Sequence, residues 1–294
     1  MNMSAKTYAP TSSPFFRLGT RRDLARLLRI NMKKLNELSS RKKLYKHFPI
    51  SKKNGGQRLV DDPRADLKKV QRRIAQLLSR ITPPEFLFCP VKGRSYVANA
   101  AVHRDSRVVH SLDVKTYFPS TPSRRVYAFF QTFMQCTPDV AAVLAKIACC
   151  EGHLPTGSPL SPIMAYYAHQ DTWCEAAALA RAHQCKITIW IDDVTLSGDR
   201  VPIGLVWQIK KIMHRGGLRY HKEKRAVERR VEVTGVVIRA GELLVPNRQK
   251  VKLRDAKKQA HAQPTDIKVL GKVAGLRGQL RQIEALNGAQ AKVP

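Results

Sequence analysis

Two adjacent carboxylates, Asp192 and Asp193, follow Trp190-Ile191 where two runs rich in β-branched residues meet, Lys186 to Ile191 and Val194 to Ser197. A short polar break between such runs marks a β-hairpin, so the spacing predicts one with the acid pair as its two-residue tip. No basic residue stands beside the pair in sequence, and two acids held together invite a divalent cation. A solvated turn explains an isolated Asp-Asp pair equally well. A third acid upstream changes the balance. Val108 to Val114 is an extended run that delivers Asp113 to the end of a central strand. If that strand lies beside the hairpin, Asp113, Asp192 and Asp193 converge on one patch. Mg²⁺ prefers oxygen ligands, takes few carboxylates from protein and completes its shell with water and substrate phosphates. Three convergent aspartates therefore suit two-metal phosphoryl transfer, in which the ions activate an attacking hydroxyl and stabilise the in-line transition state.

The elements that must position these acids are coarsely legible. Residues 1 to 20 read as poorly ordered, and Asp23 to Leu38 as one amphipathic helix with Leu24, Leu27, Leu28 and Leu35 inward. His47 to Val60 has the pattern of a strand, a turn at Asn54-Gly55-Gly56 and a second strand. Asp66 to Leu78 is again helical, with Leu67, Val70, Ile74, Leu77 and Leu78 on one side and Lys68, Lys69, Arg72 and Arg73 on the other. Thr121-Pro122, Thr137-Pro138 and Ser161-Pro162 each place a capping hydroxyl before a proline preset for a first helical turn. Helices alternating with strands, without repeats, predict one α+β body.

The formal charge is +31, from 53 Lys and Arg against 22 Asp and Glu, which calls for a polyanionic partner. A basic low-complexity tail is excluded because 43% of the residues are hydrophobic, enough for a large core. After Pro246 the cations are dense, and Ile267, Leu270, Val273 and Leu276 recur at helical spacing. That pattern predicts one buried stripe and leaves Lys268, Lys272 and Arg277 either for nucleic-acid phosphate or for water. Gly271, Gly275 and Gly278 argue against a straight helix there. No transmembrane or secretory segment is legible, and the six cysteines show no Cys-x-x-Cys spacing; core thiols in a reducing cytoplasm account for them.

In order along the chain, several motifs resemble those of the reverse transcriptases, and most closely the retron type. Asp113 with Tyr117-Phe118 resembles the first catalytic motif of that family, and Trp190-Ile191-Asp192-Asp193 its Tyr-x-Asp-Asp box with Trp for Tyr. Between them, Leu154-Pro155-Thr156-Gly157-Ser158-Pro159-Leu160-Ser161-Pro162 is similar to Leu-Pro-Gln-Gly-x-x-x-Ser-Pro, with Thr for Gln. Asn99-Ala100-Ala101-Val102-His103 resembles the retron Asn-Ala-x-x-His signature, and Val233-Thr234-Gly235 its Val-Thr-Gly triplet. The likeness runs from about Phe48 to Arg281.

The resemblance implies a right-hand polymerase: residues 1–45 an N-terminal extension, 46–240 fingers and an antiparallel palm carrying the aspartates, and 241–294 a basic helical thumb. It implies RNA-directed DNA synthesis with Mg²⁺ and deoxynucleoside triphosphates, primed from a 2′-OH within a cognate structured noncoding RNA. The product would be a branched RNA–DNA molecule (msDNA), made in antiphage defence beside a separate effector protein. By the same likeness, Lys52, Lys53 and Arg58 on the fingers hairpin would meet the triphosphate, unless they are plain surface charge. Phe118 would exclude a ribose 2′-OH, unless it packs in the core, a role that better suits Tyr117. Gly157 permits close backbone approach to the nascent base pair. Lys224 would protonate leaving pyrophosphate, with Lys222 a rival and a surface role open to both. Asn99 and His103 fit a buried hydrogen-bonding pair or an RNA contact. Other bacterial reverse transcriptases, of group II introns or diversity-generating elements, and a non-catalytic RNA-binding module on the same scaffold, are the alternatives.

Overall fold

The protein is described by a computed structural model that covers residues 7–40, 43–51 and 55–290. Of residues 1 to 20, expected to be poorly ordered, residues 7–20 pack onto the body of the protein, and residues 1–6 lie outside those described. Phe15 is fully buried, edge-on to Phe130, and Tyr8 bridges to Ile81. An aromatic ring with its whole surface in the core offsets the entropy of ordering such a segment.

The expected N-terminal helix is two helices, α1 (Arg21–Leu28) and α2 (Met32–Ser40). Arg29 turns left-handed at φ 58, and the Asn31 carboxamide accepts from the Lys34 amide at 2.8 Å, capping the second helix as a new start. Leu24, Leu28 and Leu35 are buried as expected, and Leu27 packs against the same core. Next, β1 (Tyr45–Ser51) and β2 (Gln57–Pro63) form an antiparallel hairpin, followed by α3 (Ala65–Leu78), whose five predicted apolar residues all turn inward.

A short β3 (Leu87–Cys89) and α4 (Tyr96–Ala101) lead to β4 (Val108–Val114). Helices α5 (Ser123–Ala128), α6 (Pro138–Ala148) and α7 (Ser161–Ala168) start where the Thr-Pro and Ser-Pro pairs predict, but none of those hydroxyls caps its helix. Thr121, Thr137 and Ser161 instead donate to the carbonyls of Tyr117, Gly19 and Pro155, tying the helix starts to neighbouring loops. The prolines at the first turn account for the starts of α6 and α7.

Then come α8 (Gln170–Ala182), the hairpin β5 (Lys186–Trp190) and β6 (Asp193–Gly198), α9 (Ile203–Arg215) and β7 (Tyr220–Val227). The main sheet has the order β3-β5-β6-β4-β7, antiparallel except where β3 runs with β5. Its register sorts residues by face. Asp113, Asp193, Ser111, Thr195 and Lys222 share one face; Leu112, Val194 and Glu223 share the other, which α9 covers through a Lys210–Glu223 ion pair at 2.6 Å.

A three-stranded sheet follows, β8 (Val231–Val233), β9 (Val236–Arg239) and β10 (Glu242–Leu244), and with α4 it encloses a second apolar cluster around Val97, Val109, Val236 and Ile238. The chain closes with α10 (Asn247–Ala262) and α11 (Ile267–Gln290), which pack around Leu253, Ala256 and Val273. Here the predicted stripe is displaced. Ile267 is 84% exposed and Leu270 is also exposed, while the inward line runs through Val273, Leu276, Leu280 and Ile283. The three glycines sit inside one continuous helix: a residue-level propensity cost yields to the packing of that line. No helix among the described residues is long and apolar enough to cross a membrane. All six cysteines are free, and only Cys174 is exposed.

Candidate active site

The acid-bearing hairpin forms one residue earlier than its polarity suggests. Trp190 pairs with Asp193, so the two-residue loop is Ile191-Asp192, and Asp193 already belongs to β6. Ile191 adopts φ 56, the sign that the tightest hairpin loops require at their first position but that a β-branched residue strongly disfavours. The loop is held from the neighbouring strand, because the Val114 amide donates to the Asp192 carbonyl at 2.8 Å. Asp113 stands directly opposite Asp193, so the sheet brings these two acids together on one face and places Asp192 at its rim.

Crowding and burial set the electrostatics. Burial, then the negative charges of Asp192 and Asp113, push the Asp193 carboxyl up to about 6, against the pull of Lys224 and Lys222. Asp192 is also raised, chiefly by burial and further by Asp113, with its own amide, Arg58 and His221 opposing. Such carboxylates gain from a nearby cation. Among the described residues no three His, Cys, Asp or Glu side chains close into a metal cage. Asp113 and Asp193 instead line an open cleft of ≈ 310 Å³ with Trp190, Lys222, Lys224 and Thr234. An all-oxygen, half-open donor set fits an ion that leaves most of its shell to water and phosphate, as Mg²⁺ does.

The other predicted residues are distributed around this cleft. Lys222 lies opposite Asp113, with its ammonium 4.0 Å from the carboxylate, and Lys224 lies one step further along, opposite Ser111. Arg58 projects from β2, and its charge reaches Asp192. Lys52 and Lys53 lie outside the described residues. Tyr117 and Phe118 occupy the turn after β4, not the strand. Tyr117 is buried and its hydroxyl accepts from the Trp173 indole at 3.0 Å, while Phe118 is half-buried against it. At Gly157 the close approach is to the β1–β2 hairpin: a Cβ there would lie 2.7 Å from the Asp61 carbonyl oxygen. Thr156 reinforces that seam, donating to the Leu59 carbonyl at 2.8 Å and accepting from the Asp61 amide. Lys268, Lys272 and Arg277 are exposed along α11.

Three arrangements escape a reading of sequence. His221 is the extra residue of a β-bulge, since Asp113 pairs with Lys222 but Val114 with Tyr220; its Nδ1 lies 3.4 Å from Asp113 Oδ1. No periodicity announces a bulge. Asn99 donates to the Thr234 hydroxyl at 3.2 Å, which donates in turn to the Tyr96 carbonyl, so the Asn-Ala-x-x-His and Val-Thr-Gly segments touch. His103 bridges the central strands, with Nδ1 2.7 Å from Ser197 Oγ and Nε2 2.7 Å from Thr188 Oγ1. The buried hydrogen-bonding role is the one both residues fill.

No family model matches the chain. It is 30% identical to the Retron Mx65 reverse transcriptase of Myxococcus xanthus, an alignment covering 99% of this chain and 75% of that protein. It is 28% identical to the Retron Se72 reverse transcriptase of Salmonella heidelberg over 60% of this chain, and 26% to the Retron Ec86 reverse transcriptase of Escherichia coli over 52%, in each case spanning 48% of the relative's length. A solved foamy viral protease-reverse transcriptase in complex with double-stranded DNA overlaps 79% of this chain and 35% of its own at a TM-score of 0.47 and 18% identity, too distant a likeness to bear on the argument.

Proposed function

The chain belongs to the retron reverse transcriptases, and from that premise we propose that it is an RNA-directed DNA polymerase that copies a cognate structured noncoding RNA into branched msDNA. One observation carries the catalytic reading: Asp113 and Asp193 are cross-strand partners that line one cleft at the end of the main sheet, with Asp192 on the adjoining turn. On this reading the sheet is the palm, the β1–β2 hairpin with its neighbours the fingers, and residues 241–294 the thumb.

Asp113, Asp192 and Asp193 would hold Mg²⁺, which when bound supplies positive charge to the triphosphate and lowers the pKa of the priming hydroxyl. The chain's own residues do the rest. Lys222 and Lys224 border the same cleft, where they attract the triphosphate and can return a proton to leaving pyrophosphate. Arg58, whose charge reaches Asp192, would add to the attraction for the triphosphate, a role the resemblance also gives Lys52 and Lys53. Phe118 borders the sugar and favours deoxynucleotides by steric exclusion. Lys268, Lys272 and Arg277 grip RNA phosphate. The primer is a 2′-OH of the RNA itself, and the product serves antiphage defence together with a separate effector protein in the cytoplasm.

The test is DNA synthesis by purified Asp192→Asn and Asp113→Asn proteins on the cognate RNA with deoxynucleotides and Mg²⁺. Both should lose synthesis while keeping RNA affinity within about twofold, because a carboxylate in the cleft is not a phosphate contact. Undiminished incorporation by the double variant would remove the metal assignment.

A further inference from the structure

On the sheet face opposite the carboxylates, an aromatic groove of ≈ 380 Å³ is lined by Trp207, Lys210, Lys211, His214, Arg215 and Tyr220. Trp207 is 56% exposed on α9, an unusual position for the largest apolar side chain, and Tyr220 is exposed on β7. Lys210 fixes the pair: its ammonium lies 4.4 Å from the Tyr220 ring centroid and 5.9 Å from that of Trp207, and the Glu223 carboxylate holds it from below. Glu223 is itself anchored by His110 at 2.7 Å. The bulge at His221 creates the site, because the extra residue returns Tyr220 to the face of Glu223 and α9, away from Asp113 and Lys222.

We infer that this groove stacks an unpaired RNA base outside the polymerase cleft, an inference that rests on the reverse-transcriptase reading. Two rings held by a shared cation present π-faces whose orientation is set before binding, and base stacking on such faces is tolerant of sequence. Charge selects the occupant. Within the groove Lys210 is neutralised by Glu223 and Arg215 by Glu175, whereas Lys211 on its lip and Arg219 beside Tyr220 are exposed cations without an ion pair among the described residues. An apolar slot edged by uncompensated positive charge suits a nucleobase with its phosphates. The groove opens on the far face of the sheet from Asp113, so the nucleotides it takes are not the base pair being extended.

The probes are a blunt RNA hairpin and the same hairpin with an unpaired tail of about eight nucleotides, within the range of single-strand site sizes. Their affinities are read by fluorescence anisotropy for the wild type, Trp207→Ala and Trp207→Phe, each checked for an unchanged melting curve. The tail should tighten binding to the wild type. Trp207→Ala should lose about 5- to 150-fold of that gain, the range for one stacked base. Trp207→Phe should keep most of it, and all three proteins should bind the blunt hairpin alike. An equal benefit from the tail in wild type and Trp207→Ala would overturn the inference and leave the groove to a protein partner; so would equal weakening of blunt and tailed RNA. If the wild type bound neither RNA, the reverse-transcriptase reading would fall with it.

Discussion

His103 offers the sharpest quantitative test of how the carboxylate-bearing strands are held. The imidazole has no exposed surface, and both nitrogens are engaged with hydroxyls, Ser197 on β6 and Thr188 on β5. Burial, helped by the charge of Lys186, holds it down to about 3 from an ordinary 6.5. Below pH 6.5 the unfolded chain therefore takes up a proton that the folded chain refuses. The stability contributed by the neutral ring is complete above pH 6.5 and is lost as pH falls toward 3. Each pH unit inside that window costs about 1.4 kcal/mol, so His103 alone should remove about 3 kcal/mol by pH 4.5. Urea unfolding followed by circular dichroism between pH 7.5 and pH 4.5 measures this, with His103→Gln as the comparison. Glutamine keeps a donor and an acceptor but does not titrate. The variant should be about 1 to 3 kcal/mol less stable at pH 7.5, because its hydrogen bonds are poorly placed, and the gap should close as the medium is acidified. His169, also held down to about 3 by burial, is common to both proteins and cancels. A gap that stays constant across the range would refute the assignment of His103 as a buried, neutral strap.

Three further outcomes are expected. Gly157→Ala should cost about 1 to 3 kcal/mol in thermal or urea unfolding, since its Cβ would lie 2.7 Å from the Asp61 carbonyl oxygen and both partners are backbone; a neutral result would mean that the loop and β2 are not in register. Phe118→Ala should admit ribonucleotides while preserving deoxynucleotide use, measured as relative incorporation on one primer-template, and unchanged rejection would move the sugar gate elsewhere. Changing Lys268, Lys272 and Arg277 together to Ala should flatten the plot of log affinity for RNA against log salt by about 0.7 to 0.9 per lost phosphate contact; an unaltered slope would return α11 to a solvated surface.

What the sequence discloses divides along a physical line. The Asp113 strand, the acid-bearing hairpin, the β1–β2 hairpin and the apolar face of α3 follow from local periodicity, and all are present. Offsets arise where tertiary contacts outvote local preference. The hairpin tip moves to Ile191-Asp192 because the β4 amide of Val114 holds the Asp192 carbonyl. Thr121, Thr137 and Ser161 sit at helix starts yet spend their hydroxyls on distant or preceding carbonyls. The break at Arg29 had a local sign in Asn31, a capping residue within an otherwise regular pattern. Nothing local could disclose that Gly157 abuts β2, or that a bulge brings His221 to Asp113, since both depend on a strand from elsewhere in the chain.

The bulged strand β7 has one more consequence, which concerns other copies of the protein. It ends the main sheet, so one side of its backbone offers amides and carbonyls that no strand in the sheet satisfies. Such a rim is a template for edge-to-edge aggregation. Here the ladder that an intruding strand would extend is interrupted at His221, and Lys222, Lys224 and Arg225 would meet like charges from any second copy aligned against them. These cations thus keep the open side of the sheet from seeding fibrils, and apolar replacements there would endanger solubility before they endangered the fold.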